Sequence, residues 1–188
     1  MQLAAHELSN LSELITSCYN TVSLMGNFIQ QVEDTELKQI LERQFPLHIK
    51  DYNLKVEFVQ NHSTPNIHQF QPDQLHPNLE NYTEASQLSS SVTPRTNAQS
   101  LNDREIATAY LLNQKAAAKN YAAAVLETSN PNLRTFLENA FLNSSRHAYE
   151  VWQYMTKKGW YPLMAAPQPA IQTVASMYQP VNSQSFIQ

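Results

Sequence analysis

From Leu8 to Val32 the apolar residues fall at Leu8, Leu11, Ile15, Cys18, Val22, Met25, Ile29 and Val32, an unbroken alternation of three- and four-residue steps. Steps of that length keep one stripe of a helix facing a partner and give a strand nothing to alternate. They predict an amphipathic helix over about 6–32 whose stripe must be buried by other helices. Asp34 then offers a side-chain acceptor for a new helix start, and Glu36 places negative charge where the helix dipole favours it. The second helix is expected over 35–61, with Leu37, Ile40, Leu41, Phe45, Leu47, Leu54, Phe58 and Val59 at the same spacing. Pro46 lies inside it, removes one amide donor and crowds the carbonyl of Glu42, so a kink is expected there.

From Ser63 to Leu101 the composition turns to Pro, Gln, Asn and Ser, with isolated Ile67, Phe70, Leu75 and Leu79 that are expected to pack on the bundle. Such a stretch is a connection, not another rod. Asn102-Asp103-Arg104-Glu105 reads as a capping box that opens a third helix over 102–128, whose alanines permit close approach of a neighbour. Asn130-Pro131 reads as an N-cap followed by proline where its missing amide costs nothing, opening a fourth helix over 131–158. Gly159 supplies a left-handed turn to end it. Residues 163–188, rich in Pro and Gln, read as a mobile tail beyond a bundle of 1–162.

The fragment Leu37–Phe45 matches Leu133–Phe141 as L-[KR]-x-[IF]-L-E-x-x-F, each just after a helix start, so helices two and four read as equivalent members of two related hairpins. Two short-looped hairpins joined by the long connection 63–101 specify an all-α four-helix bundle of ferritin-like, up-down-down-up topology. A simple up-down-up-down bundle would need no such crossover.

Composition closes off other classes. With only Gly26 and Gly159, no glycine-dependent phosphate loop can be written. A net charge of -4, with the basic residues scattered, excludes the electrostatic footprint of a nucleic-acid binder. Cys18 alone supports neither an internal disulfide nor a cysteine-rich zinc site. No apolar run approaches the roughly 18 residues of a membrane span, and no basic-then-apolar leader opens the chain, so a soluble protein made in the cytoplasm is expected.

Lys115-Ala116-Ala117-Ala118-Lys119-Asn120-Tyr121, Glu127-Thr128, Pro131-Asn132-Leu133-Arg134, His147, Tyr154-Met155 and Lys158-Gly159-Trp160-Tyr161 together resemble the endospore coat protein F family over Asp103–Pro162. Asp34-Thr35-Glu36-Leu37-Lys38 resembles the N-terminal hairpin of the same family more loosely. The resemblance implies a ferritin-like fold without established enzymatic activity. It also implies a structural component of the spore coat, synthesised in the mother-cell cytoplasm, with other coat proteins as partners and self-association open.

Ferritin-like bundles invite a search for metal ligands, and no Glu-x-x-His occurs. The reversed spacing does, as His48 with Asp51 and His147 with Glu150, each pair on one helix face. These four residues are the weak candidates for a metal-binding or oxidase alternative. Against them stand their mismatch in the repeat alignment and the two ammonium groups, Lys115 and Lys119, expected on helix three where a bridging carboxylate belongs. No cofactor and no catalytic residue is expected. Cys18, on the apolar seam, reads as a small buried hydrophobe. The tyrosines of the helices are expected to pack with their hydroxyls at the bundle surface, and this outweighs a second reading, oxidative or transamidation cross-linking in a coat layer through the accessible Tyr82, Tyr161, Tyr178 and several glutamines of the tail. Trp152, Trp160 and Tyr161 form the expected contact surface. A helical adaptor without any link to the spore is the remaining alternative.

Overall fold

The computed structural model describes residues 3–60, 64–79 and 91–181. Four long helices, α1 (Ala5–Gln31), α2 (Thr35–Gln60), α3 (Asp103–Glu127) and α4 (Pro131–Lys157), form an all-α bundle, and a short α5 (Gln168–Ser176) follows. Among the described residues there is no strand, and the crossover carries one turn of 3₁₀ helix at Ile67–Gln69. Residue 61, where α2 is expected to end, lies outside the described residues, as do 63 and 80–90 of the crossover, Tyr82 included, and 182–188 of the tail.

The helix starts follow from local chemistry. Asn102 Oδ1 accepts the Glu105 N–H at 2.9 Å while the Glu105 carboxylate accepts the Asn102 N–H at 3.0 Å, the two halves of a capping box. Asp34 Oδ1 accepts from Leu37 N–H at 3.0 Å, and Asn130 Oδ1 accepts from Leu133 N–H at 3.1 Å, so α2 and α4 begin with the same cap. Gly159 ends α4 with φ of 69°, and the Trp160 N–H turns back to the Met155 carbonyl at 2.8 Å. α2 runs unbroken through Pro46, whose ring is exposed, so the carbonyl it leaves without a partner faces water.

Contacts at both ends establish the topology. His6 meets the Glu127 carbonyl and Gln31 meets the Leu101 N–H, so α1 runs antiparallel to α3. Lys157 pairs with Glu36 at 2.7 Å and Arg43 pairs with Glu150, so α2 runs antiparallel to α4. The order is therefore up, down, down, up, as the long connection requires.

Each hairpin also closes the other's turn. The Glu7 carboxylate of α1 accepts the Ser129 N–H at 2.8 Å and the Asn130 N–H at 2.9 Å, in the α3–α4 turn. The Asp103 carboxylate of α3 accepts the Glu33 N–H at 2.9 Å and the Asp34 N–H at 3.1 Å, in the α1–α2 turn. Residues 7, 33 and 34 stand to 103, 129 and 130 at one constant offset of 96, the offset that aligns Leu37 with Leu133.

The buried stripe of α1 consists of Glu7, Leu11, Leu14, Cys18, Thr21, Met25 and Phe28. The expected stripe shares Leu11, Cys18 and Met25 with it, but Leu8 is exposed and Ile15, Val22 and Ile29 are half-buried. Two nearly apolar stripes lie one residue apart on this helix, and the neighbours select the second. On α2, Val59 is exposed and Phe45 and Leu47 are half-buried, while Gln44, His48, Asp51 and Lys55 are buried. In the crossover Ile67 and Phe70 pack into the core as expected, whereas Leu75 is exposed. The tail departs from a structureless segment, since α5 is helical, yet none of its residues is buried.

Candidate functional site

The apolar core is split in two. Leu11, Leu14, Leu54, Phe58, Phe70 and Phe136 belong to a cluster near the α3–α4 turn, and Met25, Phe28, Leu37, Leu41, Ile106 and Tyr154 to one near the α1–α2 turn. Between them lies a polar waist of Cys18 and Thr21 from α1, Gln44, His48, Asp51 and Lys55 from α2, Gln114 from α3, and Asn143, Ser144, His147 and Glu150 from α4. Buried polar groups of this number must satisfy one another, because each left unpaired costs about 1–3 kcal/mol.

One half of the waist is a closed ring of polar contacts. The Glu150 carboxylate can only accept, so the Gln44 amide turns its nitrogen toward it at 2.8 Å. Gln44 Oε1 then accepts from the Tyr110 hydroxyl at 2.7 Å. With its proton committed, the Tyr110 oxygen must accept from His48 Nε2, 2.9 Å away. His147 Nδ1 stands 3.1 Å from the same His48 nitrogen and so presents its lone pair, leaving its own proton on Nε2, 3.4 Å from the Asp73 carboxylate of the crossover. Arg43 completes the ring by pairing with both Asp73 and Glu150. Burial first, then the neighbouring His147 and Lys55, holds His48 well below the usual imidazole range. His147 is also lowered by burial, against the pull of Asp73, and Asp73 is held below the usual carboxylate range by His147 beside it.

The other half is a buried ion pair. Lys55 Nζ, fully buried, lies 2.6 Å from Asp51 Oδ2 and 2.6 Å from the Tyr121 hydroxyl, which donates to the same carboxylate oxygen at 2.7 Å. The ammonium also sits over the rings of Tyr121, at 4.9 Å, and Phe136, at 5.7 Å. Cys18 Sγ donates to Asp51 at 3.3 Å, and burial, followed by the Asp51 charge, pushes its thiol up to about 12. Cys18 is therefore buried, as expected, but as a donor to Asp51 in the waist and not as a purely apolar filler.

Of the four metal candidates, the structure brings His48 and His147 together and separates the carboxylates: Asp51 is neutralised by Lys55, and Glu150 by Arg43. Among the described residues no three His, Cys, Asp or Glu side chains form a group that could hold a metal ion. The donor set therefore does not fit the dinuclear centre considered as the alternative. The expected obstacle was misplaced, however. Lys119 is exposed and Lys115 reaches the Tyr161 hydroxyl at 3.2 Å, while the ammonium inside the bundle is that of Lys55. Sequence reasoning missed Lys55, Gln44 and Asp73. Three of the helical tyrosines are also placed otherwise than expected, because the hydroxyls of Tyr110 and Tyr121 belong to the waist and Tyr154 is fully buried. Tyr19 and Tyr178 are exposed.

At the foot of α4, Trp152 stacks on Tyr149 at 5.5 Å and Trp160 sits edge-on to Tyr154 at 5.7 Å. Both tryptophans are partly buried against the cluster near the α1–α2 turn, and Tyr161 is 37 % exposed with the Lys115 ammonium 4.8 Å from its ring centre. No helix among the described residues is long and apolar enough to cross a membrane.

Residues 102–164, the α3–α4 hairpin with the turn that follows it, match the model of the Coat F domain. Over 182 residues the chain is 24 % identical to the spore coat protein F-like protein YhcQ of Bacillus subtilis (strain 168), covering 95 % of this chain and 82 % of that protein. Its fold is also that of BH2358, a candidate spore coat protein of Bacillus halodurans C-125 known from a crystal structure. The TM-score is 0.61 at 11 % identity, over 89 % of this chain and 95 % of that one.

Proposed function

We propose that this chain, whose α3–α4 hairpin is a Coat F domain, is a structural component of the bacterial endospore coat, made in the mother-cell cytoplasm and laid down on the forespore. It acts through contacts with other coat proteins and carries no catalytic centre. The observation behind this reading is the Coat F match at residues 102–164, on a chain whose likeness to a spore coat protein F-like relative runs nearly end to end. The interior is in keeping with it. Most of the charged groups of the waist are spent on one another and on the crossover, although Asp51 Oδ1, Gln114 Oε1 and Asn143 Nδ2 find no hydrogen-bond partner among the described residues. This pairing fixes the register of four helices and leaves the outer faces for assembly. The topology reads as ferritin-like put to structural use, with 1–162 as the bundle and the segment from 163 as an appendage for contacts. Trp152, Trp160 and Tyr161 mark the end of the bundle offered to partners.

The test is microscopy of a fluorescent fusion in sporulating cells. A ring of signal around the forespore that stays with the released spore, and its loss from the coat fraction on deletion, is the expected result. Signal that remains diffuse in the mother cell until lysis defeats the coat assignment and favours a helical adaptor.

A further inference from the structure

Among the described residues, two apolar surfaces are left uncovered. One is an open groove between α3 and α4 near their shared turn, about 390 Å³ in volume, lined by Ala122, Val125, Leu126, Phe141 and Leu142 beside Glu138. Leu126 is 74 % exposed there. The other is α5, where Ile171 and Val174, with Met177 at its C-cap, follow at three-residue steps and are all exposed. A nine-residue helix is too short to hold itself together in water, so a stable α5 needs something to lie against.

Charge and reach say what that is. Beyond Lys158 the chain contains no Asp, Glu, Lys, Arg or His, so the tail can enter an apolar groove without stripping water from a charge. Its own groove is at the far end of the bundle. Leu142 precedes Lys158 by sixteen residues, about 24 Å along α4. Tyr161 is still tied to α4 through the Met155 carbonyl, and the seven residue steps from it to Gln168 span about 24 Å when fully extended. Only a link pulled out nearly straight lays α5 along its own groove, and in this structure α5 buries none of its residues there, whereas a neighbouring molecule imposes no such stretch.

We propose that α5 of one chain docks in the α3–α4 groove of a second copy. Donor helix and acceptor groove lie at opposite ends of the bundle, so the contact is heterologous. Every added copy presents a fresh groove or a fresh α5, and the association grows into chains or closed rings and does not stop at a pair. The proposal rests on the coat reading for its biological setting, since it names the partner as the protein itself.

Sedimentation velocity of the full chain, from micromolar to near-millimolar concentration, tests it. The expected result is an average mass that climbs past the dimer. Leu126→Glu and Ile171→Glu, both at exposed positions that tolerate charge in the folded monomer, each weaken association at least about tenfold. Mixed in equal amounts, the two variants recover a complex that halts at two chains, because one retains the groove and the other retains the helix. A chain that stays monomeric throughout, association indifferent to both substitutions, or a mixture that does not recover would each overturn the proposal. Amide exchange protection of α5 in the dilute monomer would place the helix on its own groove and overturn it equally. These measurements need no spores, so their failure leaves the coat assignment standing, and diffuse signal in sporulating cells leaves them untouched.

Discussion

The hairpin of α1 and α2 and the hairpin of α3 and α4 bury the same positions and fill them with different chemistry. Ninety-six residues on from Leu11, Leu14, Cys18, Thr21 and Met25 stand Ala107, Tyr110, Gln114, Ala117 and Tyr121, and all ten are buried. The second helices agree as well: Leu37, Ile40, Leu41, Gln44, His48, Asp51, Lys55 and Phe58 correspond to Leu133, Phe136, Leu137, Ala140, Ser144, His147, Val151 and Tyr154, again all buried. What faces inward is set by where the partner helices lie. What chemistry stands there is constrained only by what meets it across the bundle. Lys55 in one hairpin is Val151 in the other because Asp51 and Tyr121 meet the first, while the second lies in an apolar cluster.

That comparison breaks most readily at Lys55. Lys55→Met leaves Asp51 charged and unpaired inside the bundle and is expected to cost about 3–5 kcal/mol, measured as a lowered denaturation midpoint. Adding Asp51→Leu should restore most of the loss and make the first hairpin as apolar there as the second. A single variant as stable as the parent would mean that the ion pair contributes nothing at this position.

The two clamps sharpen the comparison next. Burial alone would raise Glu7, but the N–H groups of Ala4, Asn130 and Ser129 hold it at about 2, and it is buried where Asp103 is half-exposed. Glu7→Gln is therefore expected to cost about 2–3 kcal/mol and Asp103→Asn about 1 kcal/mol in equilibrium unfolding. The Glu7 contribution is present above about pH 4.5 and disappears as the pH falls toward 2.

The histidines act in a different window. In the unfolded chain His48 and His147 take up protons below about pH 6.5, while in the folded chain both are lowered and resist. Stability is therefore complete above that pH and declines below it, by about 1–2 kcal/mol between pH 6.5 and 5.5. Thermal melts of His48→Gln across the same range should show roughly half the decline. An unchanged slope would exclude His48 as a buried neutral group. At the small end stand the caps: Asn130→Ala should cost about 1 kcal/mol, and Asp34→Ala slightly more because the Asp34 carboxylate also pairs with Lys158 at 2.7 Å.

The rods and their punctuation were legible because they depend on near neighbours: Asn102 with Glu105, Asn130 before Pro131, and Gly159 all behave as their local chemistry dictates. The waist was not. Gln44, His48, Asp51 and Lys55 are spaced by four, three and four, the same rhythm as an apolar stripe, and taken alone they describe a solvated face. Only the partners on α3 and α4, and Asp73 from the crossover, turn that face inward. One signal was present: the alignment that matches Leu37 with Leu133 also matches Asp51 with His147. Followed through the helices, it pairs two inward positions where it had suggested two sites out of register.

Because the first helix supplies the carboxylate that seals the last turn, and the third supplies the one that seals the first, neither half can be finished as it leaves the ribosome. The opening hairpin waits through the whole crossover for Asp103, and Glu7 waits longer still for Ser129 and Asn130. Translation interrupted before residue 103 leaves the α1–α2 turn without its carboxylate, and interruption before residue 129 leaves Glu7 without the amides it is placed to hold.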